Sequence, residues 1–310
     1  MGGCVNGPGG GCGARAGVRP QGGGGLSRFG EDEIRRHVRA WKAMQAAGAA
    51  GAAEAGRPGA AEWARAALGF EADEQQRMVL DCEAKRVMLC CSRQWGKSTV
   101  TAVRALYEAW FRPGTLVACV APTERQARFF VLKVRHLAEK RLGTKVRRDP
   151  RDAGGAGLSA RLENGSAVVG LPGDADTTRG LSAVDFLIVD EAARVRDEVY
   201  RAVRPFLATT GGRLWLLSTP NGQAGFFHDE WHDEEADWVR VSAPATECGR
   251  IGAEFLEGER RALGEEMFAQ EYLCQFRASG SQLISRALVD EVVTEQEEPM
   301  DLRAVFGEEG

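Results

Sequence analysis

The chain has 310 residues, of which 44% are hydrophobic and 27% are charged, and its formal net charge is −4. These values are typical of a globular protein of one or two domains, and they exclude a protein whose whole surface coats nucleic acid. No apolar run is long enough to cross a bilayer, so we expect no membrane partner.

The first part of the chain, residues 1–61, is predicted to be a Gly- and Ala-rich, largely disordered region with one short helix. Apolar residues recur at helical spacing over residues 31–45, which indicates that helix. The Ala/Gly tract at residues 46–61 is interpreted as a linker. The ordered body is therefore expected to begin near Trp63.

Beyond this region, apolar runs alternate with stretches of helical periodicity. Strands are predicted at residues 87–91, 116–121, 186–189, 214–217 and 238–241, and a hairpin at residues 158–171. Helices are predicted at residues 97–110, 123–142, 197–207, 253–263 and 265–274. This alternation favours an α/β fold with a mainly parallel sheet and helices on both faces.

The run Cys91-Ser92-Arg93-Gln94-Trp95-Gly96-Lys97-Ser98 follows the first predicted strand and begins a helix, as a phosphate-binding loop does. Gly96 lets the backbone close around a phosphate, while successive N–H groups and the helix N-terminus face the anion. Lys97 supplies charge for the β- and γ-phosphates, and the Ser98 hydroxyl is a ligand for Mg²⁺. The residues expected to bind nucleotide here are Cys91, Ser92, Gln94, Trp95, Gly96, Lys97, Ser98 and Thr99.

Two residues of this loop depart from the common pattern. Cys91 stands where the pattern has its first Gly. Arg93 adds a guanidinium group beside the phosphates, a position from which it would stabilise charge as the γ-phosphoryl group leaves. A Gly-Lys-Ser at a helix start also occurs by chance, so the interpretation depends on the rest of the chain.

The predicted strand at residues 186–189 ends in two acids, Asp190 and Glu191. A carboxylate at the C-terminal end of a parallel strand faces the crevice where α/β proteins bind ligands. We expect Asp190 to hold the Mg²⁺ shell together with Ser98, and Glu191 to polarise the attacking water. A phosphate loop followed by this acidic strand predicts hydrolysis of ATP or GTP.

One strand later the chain reads Ser218-Thr219-Pro220-Asn221-Gly222. Small hydroxyl residues at the end of a core strand can sense the γ-phosphate and pass its loss to a neighbouring loop. A simple Ser-Thr-Pro turn is the alternative interpretation, and this motif taken by itself favours the turn.

The cysteines and histidines do not indicate a metal site. The eight cysteines are scattered without paired Cys-x-x-Cys spacing, so we interpret them as reduced thiols in a cytosolic protein. His228 and His232 are four residues apart, but the residues between them lack the glutamate placement of zinc proteases. Both histidines are therefore expected at the surface.

One segment is strongly basic. Residues 124–151 contain ten Lys and Arg residues against three acids. The basic residues are Arg125, Arg128, Lys133, Arg135, Lys140, Arg141, Lys145, Arg147, Arg148 and Arg151. A solvated helix face and a surface that faces DNA are equally compatible with this pattern.

Five motifs in a fixed order resemble those of the large terminase subunit of tailed bacteriophages and prophages. They are the loop with Arg93-Gln94 before Gly-Lys-Ser, Arg179-Gly180, Val189-Asp190-Glu191-Ala192, Ser218-Thr219-Pro220-Asn221-Gly222 and Glu271-Tyr272-Leu273-Cys274-Gln275-Phe276. The resemblance covers roughly residues 63–290. It implies a P-loop NTPase fold of the RecA-like (ASCE) type, with ATP and Mg²⁺ as cofactors.

The resemblance also implies roles for single residues. Lys97 and Ser98 would bind phosphate and Mg²⁺, and Arg93 would be the catalytic arginine of the loop. Asp190 and Glu191 would be the metal-side acid and the catalytic acid. The family position of a coupling motif, which contacts the nucleotide and links hydrolysis to movement, falls on Ser218-Thr219.

Two further positions follow from the resemblance alone. Arg179 falls where some family members place a catalytic arginine that acts across a subunit boundary, although a structural Arg-Gly is an alternative. Gln76 matches the adenine-reading glutamine of the family, while Gln75 stands where the family usually has Trp.

A protein of this family would be the ATP-driven motor that packages double-stranded DNA into a procapsid. It would work as a homo-oligomeric ring, a pentamer by resemblance, in the cytoplasm of the host bacterial cell. Its partners would be the DNA, the portal protein and the small terminase subunit.

The resemblance divides the chain at residues 62–276, expected to be the ATPase domain. Family members continue into a nuclease domain, whereas residues 277–310 are few and acidic, and we interpret them as a tail or truncated linker. Nuclease activity is therefore not expected. Two other functions stay open, namely a degenerate prophage remnant that binds nucleotide or DNA without motor activity and a helicase-like translocase.

Overall fold

A seven-stranded sheet organises the protein, with strand order β3-β4-β2-β5-β6-β1-β7. The computed structural model describes residues 57–147, 158–173 and 181–277. The strands are β1 Arg86–Cys91, β2 Leu116–Ala121, β3 Ser159–Arg161, β4 Ala167–Pro172, β5 Phe186–Asp190, β6 Arg213–Ser218 and β7 Val239–Ala243. Neighbouring strands are parallel except for the antiparallel pair β3–β4. The predicted α/β fold with a mainly parallel sheet is confirmed.

Helices cover both faces of this sheet. They are α1 Ala60–Leu68, α2 Glu74–Leu80, α3 Lys97–Phe111, α4 Glu124–Arg141, α5 Asp197–Val203, α6 Phe226–His232 and α7 Ala253–Tyr272. Short 3₁₀ turns lie at Ala192–Arg194, Arg204–Leu207 and Ala245–Glu247. None of the helices in the described ranges has the length and apolar character needed to cross a bilayer.

The strands are apolar on both faces because each face packs against helices. In β1, Val87, Leu89 and Cys91 join the core beneath α1 to α4, whereas Met88 and Cys90 join the core beneath α5 and α6. The alternation of side chains along a strand therefore feeds two separate cores. The six described cysteines are free, and all but Cys82 are buried.

Most predicted elements are confirmed, including the hairpin, whose strands β3 and β4 flank a turn at Asn164-Gly165. The predicted helix at residues 197–207 is shorter, because the chain passes into a 3₁₀ turn that contains Pro205. Gly264 has a φ of 77°, which separates the two predicted C-terminal helical segments inside α7.

Three short helices, α1, α2 and α6, were not predicted. The first begins at Ala60, inside the predicted linker, because tertiary burial outweighs the weak local signal. Trp63 packs edge-on against Tyr107 and Phe111, with ring centroids 5.6 and 5.8 Å apart. The predictions for residues 1–56 and 278–310 lie outside the described residues.

A buried charge cluster joins α3 to the start of β6, at the end of the sheet away from the phosphate loop. Arg104 is fully buried and donates to Glu108 Oε1 through Nε at 3.0 Å and NH2 at 2.6 Å. Arg213 Nε and Arg57 NH1 approach the Glu108 carboxylate at 3.6 and 3.7 Å. The cluster therefore fastens the chain before α1 to the sheet.

Replacing Arg104 by Met is expected to lower the free energy of unfolding by about 3 kcal/mol, because Glu108 stays buried and loses its closest partner. Urea denaturation followed by tryptophan fluorescence measures this loss. The double replacement Arg104→Met with Glu108→Leu removes both charges but leaves Arg57 and Arg213 to Glu83 alone, so it is expected to recover only part of the stability. An Arg104→Met protein as stable as the parent would contradict the structural role of the cluster.

Candidate active site

The phosphate loop connects β1 to α3 at the C-terminal edge of the sheet. Gly96 has a φ of 96°, a conformation that favours glycine, and Gln94 also has a positive φ of 63°. The loop is fastened on one side, because the Ser92 N–H donates to the Ala243 carbonyl at 3.0 Å. This geometry aims the N-terminus of α3 at the ends of the neighbouring strands.

Two contacts bring the predicted phosphate and acid residues together. The Ser98 hydroxyl donates to Asp190 Oδ2 at 2.8 Å. The Lys97 ammonium lies 3.1 Å from Glu191 Oε1. Lys97, Ser98, Asp190 and Glu191 therefore lie together at this edge of the sheet.

The Asp190 carboxylate is nearly inaccessible, with 6% of the residue exposed. Burial raises its pKa, and the neighbouring charge of Glu191 adds to this effect, while Lys97 and the Ser98 hydroxyl oppose it. Glu191 has a φ of 53°, an uncommon conformation for a residue with a side chain. A strained acid next to a buried acid is typical of a functional centre.

These residues fit a magnesium ion. Mg²⁺ prefers a carboxylate and a hydroxyl together with waters and substrate phosphates, rather than a cage built from protein alone. Ser98 and Asp190 supply that pair of oxygen ligands at hydrogen-bond distance. Within the described ranges no group of three or more His, Cys, Asp or Glu residues is arranged for a metal.

Arg93 is held by α7 at the rim of the loop. Its Nε and NH2 donate to Glu271 Oε2 and Oε1 at 2.6 and 3.3 Å, and its N–H donates to the Glu271 carbonyl at 3.1 Å. The hydrogen bond to Glu271 raises the pKa of the Arg93 guanidinium. The second predicted arginine, Arg179, lies outside the described residues.

The hydroxyl pair after β6 contacts the turn that follows Glu191. Ser218 Oγ accepts from the Ala193 N–H at 3.1 Å, and Thr219 Oγ1 accepts from Arg194 NH1 at 3.3 Å. Both residues are buried. Ser218 and Thr219 therefore contact the turn that follows Glu191. A Ser-Thr-Pro turn with only a local role would not need these contacts.

Gln76 and Trp95 contribute to the shape of the loop. Gln76 Oε1 accepts from the Asp73 N–H at 3.3 Å, and its Nε2 donates to the Trp95 carbonyl at 3.0 Å. The Trp95 indole is fully buried, and its N–H donates to Gln75 Oε1 at 3.0 Å. The amide of Gln76 is thus engaged within the protein, and the side chain of Trp95 lies in the core, as does that of Cys91.

Lys133 lies beside the phosphate loop, whereas the sequence analysis grouped it only with the basic segment at residues 124–151. It projects from α4, and its ammonium donates to the Thr99 hydroxyl at 3.1 Å. Lys133 is exposed, but partial desolvation beside the loop lowers its pKa, and the charge of Lys97 contributes in the same direction, against the attraction of Asp190. Only the packing of α4 on α3 brings Lys133 here, so local spacing carries no signal for it.

Among the described residues of the basic segment, Arg135 is withdrawn from the surface. Arg135 is buried and donates to the Ser159 carbonyl at 2.8 Å. Lys140 and Arg141 are exposed on the same helix.

The two histidines, His228 and His232, pack against Phe276, with ring centroids 5.3 and 5.1 Å away, and His228 is only partly exposed.

The sheet and this centre define a P-loop NTPase. The phosphate loop follows β1, the two acids end β5, and β6 lies between these strands. Comparison with protein families shows which family of P-loop NTPases the chain belongs to. The model of the family "Terminase large subunit, T4likevirus-type, N-terminal" matches residues 88–290, and the chain belongs to this family.

Curated relatives are terminase large subunits. The chain is 33% identical over 178 residues to that of Thermus virus P23-45, an alignment that covers 52% of this chain and 36% of the relative. It is 28% identical over 204 residues to that of Escherichia phage T5, covering 64% of this chain and 45% of the relative. The chain thus spans less than half the length of these relatives.

Solved structures agree with the fold. The ATPase domain of the Thermus phage P74-26 large terminase superposes with a TM-score of 0.60 at 26% identity, covering 71% of this chain and all of that domain. The large terminase of another thermophilic bacteriophage, solved in complex with ADP, has a TM-score of 0.55 at 14% identity, covering 66% of this chain and 54% of that one.

Replacing Asp190 by Asn is expected to stabilise the nucleotide-free protein at neutral pH by about 1 kcal/mol, because an amide has no charge to desolvate. The folded pKa of Asp190 is raised, so the ionised carboxylate is unfavourable above that pKa, and the penalty disappears below the unfolded pKa. The advantage of the variant should therefore shrink as the pH falls to about 4.

Urea denaturation at both pH values measures this effect. Asp229→Asn is the matched control, because that carboxylate is 65% exposed. A less stable Asp190→Asn protein at neutral pH would contradict the assignment of a desolvated carboxylate.

Proposed function

We propose that this chain is the ATP-hydrolysing motor unit of a terminase that drives double-stranded DNA into a procapsid. The proposal rests on one observation above all, the paired contacts of Lys97 with Glu191 and of Ser98 with Asp190 at the end of a phosphate loop. Membership of the large terminase family supports it. The substrate would be Mg²⁺–ATP.

In this mechanism Lys97 exchanges partners. Its ammonium leaves Glu191 and neutralises the β- and γ-phosphates, while loop N–H groups and the N-terminus of α3 face the same anion. Glu191 is then free to orient and deprotonate the attacking water. Ser98 and Asp190 would hold Mg²⁺, which supplies charge neutralisation at the phosphate oxygens.

Two arginines would stabilise the transition state. Arg93 lies at the loop and would release Glu271 to reach the leaving phosphoryl group. Arg179 would act from a neighbouring subunit. Ser218 and Thr219 would sense the γ-phosphate and link its loss to movement, because both contact the turn behind Glu191.

The other elements of the proposal come from the family. The subunits would form a homo-oligomeric ring, a pentamer by resemblance, around double-stranded DNA. Such a ring needs head-to-tail interfaces, which is compatible with an arginine that acts on the neighbour's nucleotide. The portal protein and the small terminase subunit would be its partners, in the cytoplasm of the host bacterial cell.

Replacing Glu191 by Gln is expected to leave the Kd for ATP within about threefold and to lower kcat at least about 100-fold, because an amide cannot accept the proton. Mg²⁺-dependent phosphate release, measured with and without double-stranded DNA, tests this. Lys97→Ala should lose nucleotide binding as well, so the two variants separate binding from chemistry.

Glu198→Gln is the matched control, since this glutamate lies outside the site on α5. Retained hydrolysis in Glu191→Gln would remove the assignment of the catalytic acid. Nucleotide binding without turnover in the parent chain, even with DNA and partner subunits, would favour a nucleotide-binding remnant instead. Strand displacement would favour the helicase-like alternative.

Lys133→Ala is expected to weaken ADP binding about five- to tenfold, roughly 1 kcal/mol, because a second ammonium beside the phosphate loop is lost. Lys140→Ala, an exposed lysine on the same helix, should not change ADP affinity. Titration calorimetry with ADP and fluorescence anisotropy with a DNA duplex compare the two variants. Equal losses of DNA affinity with unchanged ADP affinity would assign Lys133 to a DNA-facing surface.

A further inference from the structure

Arg194 lies outside all five sequence motifs, yet its guanidinium contacts three parts of the site. NH1 lies 3.6 Å from Glu191 Oε2, and it donates to Thr219 Oγ1 at 3.3 Å. NH2 donates to Glu271 Oε1 at 3.3 Å. One side chain therefore joins the acid after β5, the hydroxyl after β6 and the end of α7.

The backbone around Arg194 is fixed from two sides. The Ala193 N–H donates to Ser218 Oγ at 3.1 Å, and the Ala193 carbonyl accepts from Asn221 Nδ2 at 3.3 Å. The acceptor on α7 is also well positioned, because the Glu271 side chain is only 7% exposed. The guanidinium is consequently held between fixed partners, although its own side chain is 32% exposed.

The Glu191 carboxylate is shared between two cations. Oε1 faces Lys97 at 3.1 Å, and Oε2 faces Arg194. When Lys97 turns to the phosphates, Arg194 remains beside the carboxylate. The 3.6 Å separation is longer than a hydrogen bond, so the charge of Arg194 orients Glu191 without capping the oxygen that must accept a proton.

We propose that Arg194 is a positioning residue that holds Glu191 toward the attacking water once Lys97 has engaged the nucleotide. This inference rests on the proposed ATPase function. Thr219 and Glu271 fix the guanidinium, and the guanidinium in turn limits the rotation of the Glu191 side chain. Arg194 acts on the reaction only through Glu191.

Arg194→Gln is expected to lower kcat about 30-fold while the KM for ATP and the Kd for ADP stay within about twofold, the pattern of a lost interaction that matters only in the transition state. Arg194→Lys should recover part of kcat, because an ammonium can face Glu191 but cannot contact Thr219 and Glu271 together. Arg201→Gln is the matched control, since Arg201 is 72% exposed and lies 3.8 Å from Asp197.

A second measurement does not depend on turnover. ADP with Mg²⁺ and tetrafluoroaluminate imitates the phosphoryl group in transfer, and its Kd is compared with that of ADP alone. Arg194→Gln should bind this mimic about tenfold more weakly than the parent and bind ADP equally well. The thermal midpoint of each variant shows whether it is folded.

The outcomes are distinct. Parent-like kcat and parent-like affinity for the mimic in Arg194→Gln would overturn the proposal, as would a joint loss of ADP affinity and thermal stability, which indicates a purely structural role. A parent chain that binds no nucleotide would overturn the proposed function and this inference together. If the parent chain binds the mimic tightly but shows no turnover, the affinities of the parent and of Arg194→Gln for the mimic still test the inference.

Discussion

The hydrogen bond between Ser98 and Asp190 joins the first turn of α3, which follows β1, to the end of β5, and the site depends on it. β6 lies between β1 and β5, and the register sets Cys90 beside Ser218 and Asp190 beside Leu217. The three strand ends are therefore level, so the phosphate loop reaches across β6 to the acids. A register slip in β6 would separate the two halves of the centre.

The charged groups of the site have partners within the protein. Lys97 faces Glu191, Arg93 faces Glu271, and buried Asp190 has the Ser98 hydroxyl. A polyanionic ligand that binds here with its cation would have to replace these contacts. Burial without a full countercharge raises the pKa of Asp190, which is a local cost that binding a cation would relieve.

The sequence predicted what is locally encoded. The loop and the acids at the end of β5 are contiguous motifs, and strands buried on both faces carry an unmistakable apolar signal. The sequence did not predict the contacts of Lys133 and Arg194 with the site, because these contacts depend on packing between segments that are distant in the chain. Trp95 shows a different limit of the sequence. The motif places Trp95 in the loop, but it does not say whether the indole ring faces the ligand or the core, and the ring is buried in the core.

The same reasoning explains the importance of α7. Glu271 accepts from Arg93, 178 residues earlier, and also from Arg194. Two guanidinium groups compete for one buried carboxylate, so departure of Arg93 toward a phosphate leaves Glu271 to Arg194 alone. The Glu271 carboxylate, whose side chain is 7% exposed, would then have its charge shared with one guanidinium group instead of two. If Arg194 orients Glu191 as proposed, engagement of Arg93 with a phosphate would strengthen the anchor of Arg194, and phosphate contact and water activation would be linked through the Glu271 carboxylate.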